Sequence, residues 1–294
     1  MTASPDPAPL VDSRMEKSLV LVAGAGRLPE LVAESLERSG RPFRVLAIRG
    51  FAERSMRARA EATVDLLDIS GALKILESWG PASVIPVGGV SRPNPTAILN
   101  AAAALRNRDA LKAISGGGDD RLLRGALVLL EDNGHRVVGI HDVAPDLLSP
   151  EGQLGRLAPD IPAQASIATG CSILAALAAY DVGQAIVVAA QRALAVEGPE
   201  GTDRMLARAR ALGRKPFGVG AAQPGTVLVK LAKTGQDLRV DLPAIGPRTV
   251  KAAAAAGCAG IAIQAGYTLI IGRDATVAAA DQAGLFLIGL RIEA

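Results

Sequence analysis

The first half of this chain switches its apolar period from strand to helix and back several times. "SLVLVAG" (18–24) is a short apolar run closed by glycine. "RLPELVAESLERSG" (27–40) follows, with Leu28, Leu31, Val32 and Leu36 at helical spacing. "PFRVLAIRG" (42–50) reads as a second strand, "TVDLLDI" (63–69) as a short third element, "GALKILESWG" (71–80) as a helix and "ASVIPVGG" (82–89) as a buried strand. Helices over about 95–105 and 119–133 then lead to "HRVVGI" (135–140). Strands joined through helices must run parallel, because each crossover carries the chain back to the edge it left. The fold class predicted is α/β: an N-terminal doubly wound, Rossmann-like domain. Its ligands belong at the carboxyl ends of its strands.

The second half has a different rhythm. Residues 141–165 are rich in Pro, Gly and Asp and read as a linker or crossing segment. A helix to Tyr180 follows, then paired strands "QAIVVAA" and "RALAVEG", a helix from Thr202 and a strand "GTVLVKLAK". Helix "GPRTVKAAAAAG", strands "GIAIQ" and "YTLIIG", helix "RDATVAAADQAG" and strand "LFLIGL" complete a mixed α+β domain. The expected division is a flexible tail over 1–17, a Rossmann-like domain over 18–142, a linker over 143–164 and a catalytic domain over 165–294. The tail has no apolar segment of the kind that leads a secreted protein. The uncharged stretches 161–180 and 252–272 are interrupted by polar residues, proline or glycine, so no transmembrane helix is expected.

Composition narrows the function. A net charge of +3 on 294 residues, and one Trp, two Tyr and four Phe in all, give no basic or aromatic surface for nucleic acid. The two cysteines, Cys171 and Cys258, are far apart and form no CxxC pair, which points to free thiols in a reducing, cytoplasmic compartment. His135 and His141 lack further His or Cys partners at metal-binding spacing.

Five motifs carry candidate chemistry. "AGAGRLPE" places Gly24 and Gly26 on a strand-to-helix turn suited to a phosphate. Pro29 stands where a dinucleotide fingerprint has its third glycine, and the second strand ends in Arg49 instead of an acid, which disfavours a nicotinamide cofactor. "VGGVSRPNP" offers Gly89 for close approach, with the Ser91 hydroxyl and the Arg92 fork for a phosphate. "SGGGDD" sets Gly118 before Asp119 and Asp120 at a helix start, where capping alone is the competing explanation. "AVEGPEGTDRML" gathers Glu197, Glu200 and Asp203 around Gly201 and Thr202. These are either helix-capping residues or oxygen ligands for Mg²⁺. "KTGQDLRVDLPAIGPRTV" (233–250) reads as a strand broken by Pro243, with Asp237, Arg239 and Asp241 on one face and Leu238, Val240 and Leu242 on the other. Lys230, Lys233 and Arg239 add the cations a pyrophosphate needs.

The order and spacing of these motifs, together with "AADQAGLFLIGL", resemble the UDP-2,3-diacylglucosamine pyrophosphatases of the LpxI type, over nearly the whole chain after the tail. The resemblance implies a cytoplasmic, Mg²⁺-dependent hydrolase of lipid A biosynthesis. Its substrate is split into UMP and 2,3-diacylglucosamine 1-phosphate (lipid X), with the lipid held between two domains. It implies that Asp241, in "RVDLP", is required for turnover. Glu197, Glu200, Asp203, Asp237 and Asp241 are the candidate metal ligands. Peripheral contact with the inner membrane and a homodimer are further expectations. A non-catalytic module that binds a sugar nucleotide is the alternative.

Overall fold

The computed structural model describes residues 18–66, 68–90, 119–180, 182–213, 225–233 and 237–292. Ser91, Arg92, Gly118, the 1–17 tail and the helix expected over 95–105 lie outside the described residues. The chain divides into two compact units, 1–143 and 144–294.

In the first unit, β1 (Leu19–Ala23), β2 (Phe43–Ile48), β3 (Ala62–Val64), β4 (Ser83–Val87) and β5 (Arg136–Val137) form one sheet in the order β3-β2-β1-β4-β5. Every pairing in it is parallel, as the alternating pattern predicts. The helices are α1 (Leu28–Arg38), α2 (Arg54–Arg59), α3 (Ile69–Trp79), α4 (Asp119–Asp132) and the short α5 (Ile140–Val143). Val20, Leu46, Val64 and Val84 pack with Leu76 and Trp79 of α3. Fully burying such a side chain contributes about 1.5–3 kcal/mol, so each strand is held in register by the face it buries.

The strand order reverses between β1 and β4, and there the two glycine turns from the sequence lie side by side. The Gly24 N–H donates to the Val87 carbonyl (2.8 Å), and Ala25 and Gly89 exchange backbone hydrogen bonds of 2.7 and 3.0 Å. A Cβ on Gly24 would stand 2.8 Å from the Gly89 carbonyl oxygen; one on Gly88 would stand 2.6 Å from that of Ala25. Packing of turn on turn therefore requires glycine at 24 and 88. Cβ atoms at Gly26 or Gly89 would meet nothing within 4 Å, so at these two positions the turn is open.

His135, just before β5, is 3% exposed, and among the described residues neither ring nitrogen has a hydrogen-bond partner. Burial lowers its pKa below the ordinary 6.5, and the charge of Glu77 only partly opposes this. As pH falls through 6.5 the unfolded chain takes up a proton that the native chain does not. Stability is therefore complete above that pH and declines below it until the native pKa is reached. Thermal midpoints of wild type and His135→Phe between pH 7.5 and 5 check this: the wild-type curve should fall more steeply. Parallel curves would show that His135 titrates normally.

The second unit is a three-layer arrangement. Its six-stranded mixed sheet has the order β6-β13-β11-β9-β7-β8. These are β6 (Gly152–Gln153), β7 (Ala185–Ala189), β8 (Arg192–Val196), β9 (Val227–Lys230), β11 (Gly260–Gln264) and β13 (Phe286–Leu290). Short strands β10 (Ala244–Ile245) and β12 (Leu269–Ile270) pair separately. Helix α6 (Ile161–Leu177) covers one face, burying Ala163, Ile167 and Leu174 against Ile186, Val188, Val227 and Val229. Helices α7 (Thr202–Gly213), α8 (Pro247–Ala255) and α9 (Arg273–Ala283) cover the other against Val187, Leu228, Ile261 and Ile263. Alternate residues of one strand thus serve opposite layers.

Residues 144–164, read from the sequence as part of a linker, pack as part of this second unit. Ser149 N donates to the Thr268 carbonyl (2.7 Å), β6 pairs antiparallel with β13, and the Asp160 carboxylate caps α6 through the Ala163 N–H (2.9 Å). Backbone pairing satisfies polar groups that a Pro- and Gly-rich composition suggests are solvated. The two uncharged stretches resolve into α6 and into the end of α8 followed by β11 and β12. Among the described residues no helix is long and apolar enough to cross a membrane. Cys171 and Cys258 are free thiols, and burial pushes that of Cys258 up to about 12.

Candidate active site

Antiparallel pairing of β7 with β9 brings Ala185, at the start of one strand, opposite Lys230, at the end of the other. Glu197 follows β8 directly, and its N–H donates to the Ala185 carbonyl (2.8 Å). One end of the sheet therefore collects Gln184, Glu197 and Lys230, although 46 positions separate the first from the last (230 minus 184).

Lys230 and Glu197 are each only 8% exposed. The Lys230 Nζ donates to the Thr202 hydroxyl (2.8 Å), which in turn donates to Glu197 Oε1. Glu197 Oε2 accepts the Gln184 backbone N–H (2.9 Å). Burial pulls the Lys230 pKa below the ordinary lysine range, while the charges of Glu197, Asp241 and Asp203, in that order, act against the shift. A lysine this buried persists because its ammonium has a hydrogen-bond acceptor and three carboxylates in its field. Thr202, expected as a helix cap, opens α7 but spends its hydroxyl on this relay.

Asp241 joins the group from the other side. It is exposed, and its Oδ2 accepts a hydrogen bond from Gln184 Nε2 (3.2 Å). Gln184 thus holds Glu197 with its backbone and Asp241 with its side chain. Reading the motifs did not single it out. Its position before a strand signals nothing until the pairing of that strand is known.

The expected strand over 237–242 is not formed. The Val240 and Asp241 N–H groups both donate to the Asp237 carbonyl (3.1 Å each), which makes a turn. Arg239 Nε and Nη2 grip the Asp237 carboxylate at 2.8 and 2.7 Å, and the same carboxylate accepts the Arg239 N–H at 3.1 Å. An aspartate that bonds the backbone two residues on competes with a strand ladder, and with Pro243 close behind the turn wins. Asp237, Arg239 and Asp241 consequently do not form one row. Asp237 and Arg239 pair with each other, and Leu238 lines a cavity instead of a core.

The remaining acids are dispersed. Asp203 pairs with Arg248 (2.8 Å) and Glu200 with Arg208 (2.7 Å). Lys233 lines the same cavity as Leu238. Asp119 and Asp120 begin α4 in the first unit. Among the described residues no three His, Cys, Asp or Glu side chains converge on a common metal position.

A family model for the LpxI N-terminal domain matches residues 18–147, and one for the LpxI C-terminal domain matches residues 150–288. The chain belongs to the LpxI family. The UDP-2,3-diacylglucosamine pyrophosphatase LpxI of Caulobacter vibrioides is 38% identical over 274 residues, which cover 93% of this chain and 98% of that protein. The boundary between the two LpxI domains agrees with the division into units at 143/144. The Gln184–Glu197–Thr202–Lys230–Asp241 group lies wholly within the LpxI C-terminal domain.

Proposed function

We propose that this LpxI-family chain hydrolyses the pyrophosphate bond of UDP-2,3-diacylglucosamine to UMP and 2,3-diacylglucosamine 1-phosphate (lipid X), with Mg²⁺ as cofactor. Full-length similarity to a pyrophosphatase of that name supports the substrate. The observation that carries the chemistry is an exposed Asp241 held beside a buried, relay-bound Lys230.

The residues present suit Mg²⁺ bound mainly by water and substrate phosphates, not a cage of carboxylates. Asp203, Glu200 and Asp237 are each bonded to an arginine. Glu197 is buried with both oxygens accepting hydrogen bonds. Asp241 alone of the five candidates is exposed and bonded through a neutral amide, so it is the residue that would hold the ion. Bound there, Mg²⁺ would neutralise phosphoryl charge and acidify a water molecule.

The protein's own groups do the rest. Lys230 supplies a fixed cation for the charge that develops on the phosphates, in a setting where reorganisation is small. Thr202 and Glu197 hold that ammonium in place, and Gln184 fixes the carboxylate orientation of Asp241. The turns at Gly26 and Gly89 of the N-terminal domain are open to close approach but add no spare donor, because the Gly89 N–H donates to the Ala25 carbonyl (3.0 Å) and the Gly26 N–H to Glu53 Oε1 (3.4 Å).

Release of UMP from UDP-2,3-diacylglucosamine, followed with Mg²⁺ and after exhaustive chelation, tests this reading. Turnover should fall by at least about a thousandfold on chelation, on the order of 4 kcal/mol, and return when Mg²⁺ is restored. Full activity in chelator would remove the metal. Absence of UMP under all conditions would remove the reaction.

A further inference from the structure

Three arginines of the second unit each hold one of the candidate acids, and they differ in how firmly they are fixed. Arg239 grips Asp237 through both Nε and Nη2. Arg208 bonds Glu200 (2.7 Å) and also donates to the Val196 carbonyl (2.7 Å). Arg248 is the second residue of α8. Among the described residues its guanidinium makes one hydrogen bond, from Nη2 to Asp203 Oδ2 (2.8 Å), and its side chain is 89% exposed. Arg239 and Arg208 are built into their surroundings. Arg248 is a cation held at one point.

That point lies beside the buried lysine. Asp203 follows Thr202, whose hydroxyl accepts from Lys230, and the charge of Asp203 acts on the Lys230 ammonium together with those of Glu197 and Asp241. Three carboxylates therefore act on one ammonium, which is already bonded to Thr202. A pyrophosphate entering this group brings more negative charge, so a second cation within reach is required. None of the steps above supplies it from the protein.

Magnitudes decide what Arg248 would do there. An exposed ion pair such as Arg248–Asp203 changes an equilibrium by at most roughly fivefold. A charge-assisted, two-pronged contact from arginine to phosphate is worth roughly ten- to a hundredfold. Exchange of the carboxylate for a phosphate is therefore favourable. Asp203 tolerates the loss, because it lies in the first turn of α7, where the positive helix end and the Lys230 charge both remain.

We propose that Arg248 is a substrate-binding residue, held by Asp203 in the free protein and transferred to the pyrophosphate when substrate enters. The inference rests on the reading of the substrate as a UDP-sugar. It goes further in adding a residue that motif spacing did not single out, and in giving Asp203 the part of a holding group.

The test uses the intact chain with the two non-reactive products, UMP and 2,3-diacylglucosamine 1-phosphate, and with phosphate-free 2,3-diacylglucosamine. Affinities are measured by titration calorimetry with Mg²⁺ present. UMP release from UDP-2,3-diacylglucosamine is measured in parallel, and melting curves confirm that each variant is folded. Arg248→Ala should weaken at least one of the two phosphate products at least about tenfold. It should raise KM by a similar factor and leave the phosphate-free ligand within about twofold. Asp203→Asn should tighten that same product about two- to fivefold, because Arg248 is then free from the start. In the Arg248→Ala background the Asp203→Asn change should have no such effect.

Both product affinities within about twofold of wild type in folded Arg248→Ala would overturn the proposal, as would an equal loss for the phosphate-free ligand. Equal tightening by Asp203→Asn in both backgrounds would also overturn it, since Asp203 would then act by repulsion alone. If Arg248→Ala loses phosphate-dependent binding but wild type never releases UMP, the role of Arg248 stands and the reaction reading fails. If Arg248→Ala releases UMP with the wild-type KM, the reaction reading stands and the role of Arg248 fails.

Discussion

Asp241→Ala should lower kcat by about a thousandfold or more while leaving the melting temperature almost unchanged. The side chain is exposed and makes one hydrogen bond, to the neutral amide of Gln184, so truncation leaves no buried charge without a partner. Surface substitutions of this kind change stability by about 0.5 kcal/mol or less. On the proposed reading the kinetic loss is large because the carboxylate would hold a metal or water within reach of the phosphorus, and such positioning supplies several kcal/mol of barrier lowering. Asp237→Ala is the comparison. It breaks the carboxylate grip on Arg239 and loosens the turn, yet leaves Asp241 and Gln184 in place, so a milder loss is expected. Single-turnover and steady-state rates beside thermal melts decide the matter. If Asp241→Ala keeps more than about a tenth of wild-type kcat, a difference of only about 1.4 kcal/mol, the acid is not catalytic.

Lys230→Met should damage both stability and turnover. Methionine keeps the stem of the lysine but removes the charge, leaving buried Glu197 without its nearest cation. Breaking a buried charge pairing by removing one partner costs about 3–5 kcal/mol. The lower end is expected here, because Glu197 keeps its hydrogen bonds from Gln184 N and Thr202. Turnover should drop about a hundredfold, the loss typical of one preorganised donor to a developing negative charge. The double variant Lys230→Met/Glu197→Gln separates the two effects. Removing both charges should restore most of the stability, since neither is then uncompensated, but should restore none of the turnover. Wild-type melting and rate in the single variant would show that Lys230 is a bystander.

Much of the architecture was legible in the chain alone. Strands β1, β2 and β4 announced themselves because a parallel sheet covered on both faces needs continuous apolar runs, which "LVLVA" and "SVIPV" supply. Glycine at 24 and at 88 was visible as a pair of turns. That the turns lock together required the strand order, which places β1 beside β4. Local signals also misled. Period-two alternation over 237–242 looked like a strand, but six residues are too few to outweigh an aspartate that bonds its own backbone and arginine two residues away. The segment 144–164 looked like a linker because composition records turn residues and says nothing of the sheet edge that accepts them.

The sequence by itself determined the alternation of elements, the two-domain order, the family and the acids that are candidates for the site. These depend on periodicity and on residues close together in the chain, where sterics and hydrogen-bond chemistry act locally. Tertiary structure decided which of those acids meet. Asp241 reaches Gln184 across 57 positions, and Lys230 reaches Thr202 across 28. Both contacts exist only because β7 runs antiparallel to β9 and puts the start of one strand at the end of the other. Burial of Lys230, and hence its lowered pKa, is likewise a property of the packed sheet end. A lysine in "VLVKLAK" has no shifted proton affinity until the fold removes its water.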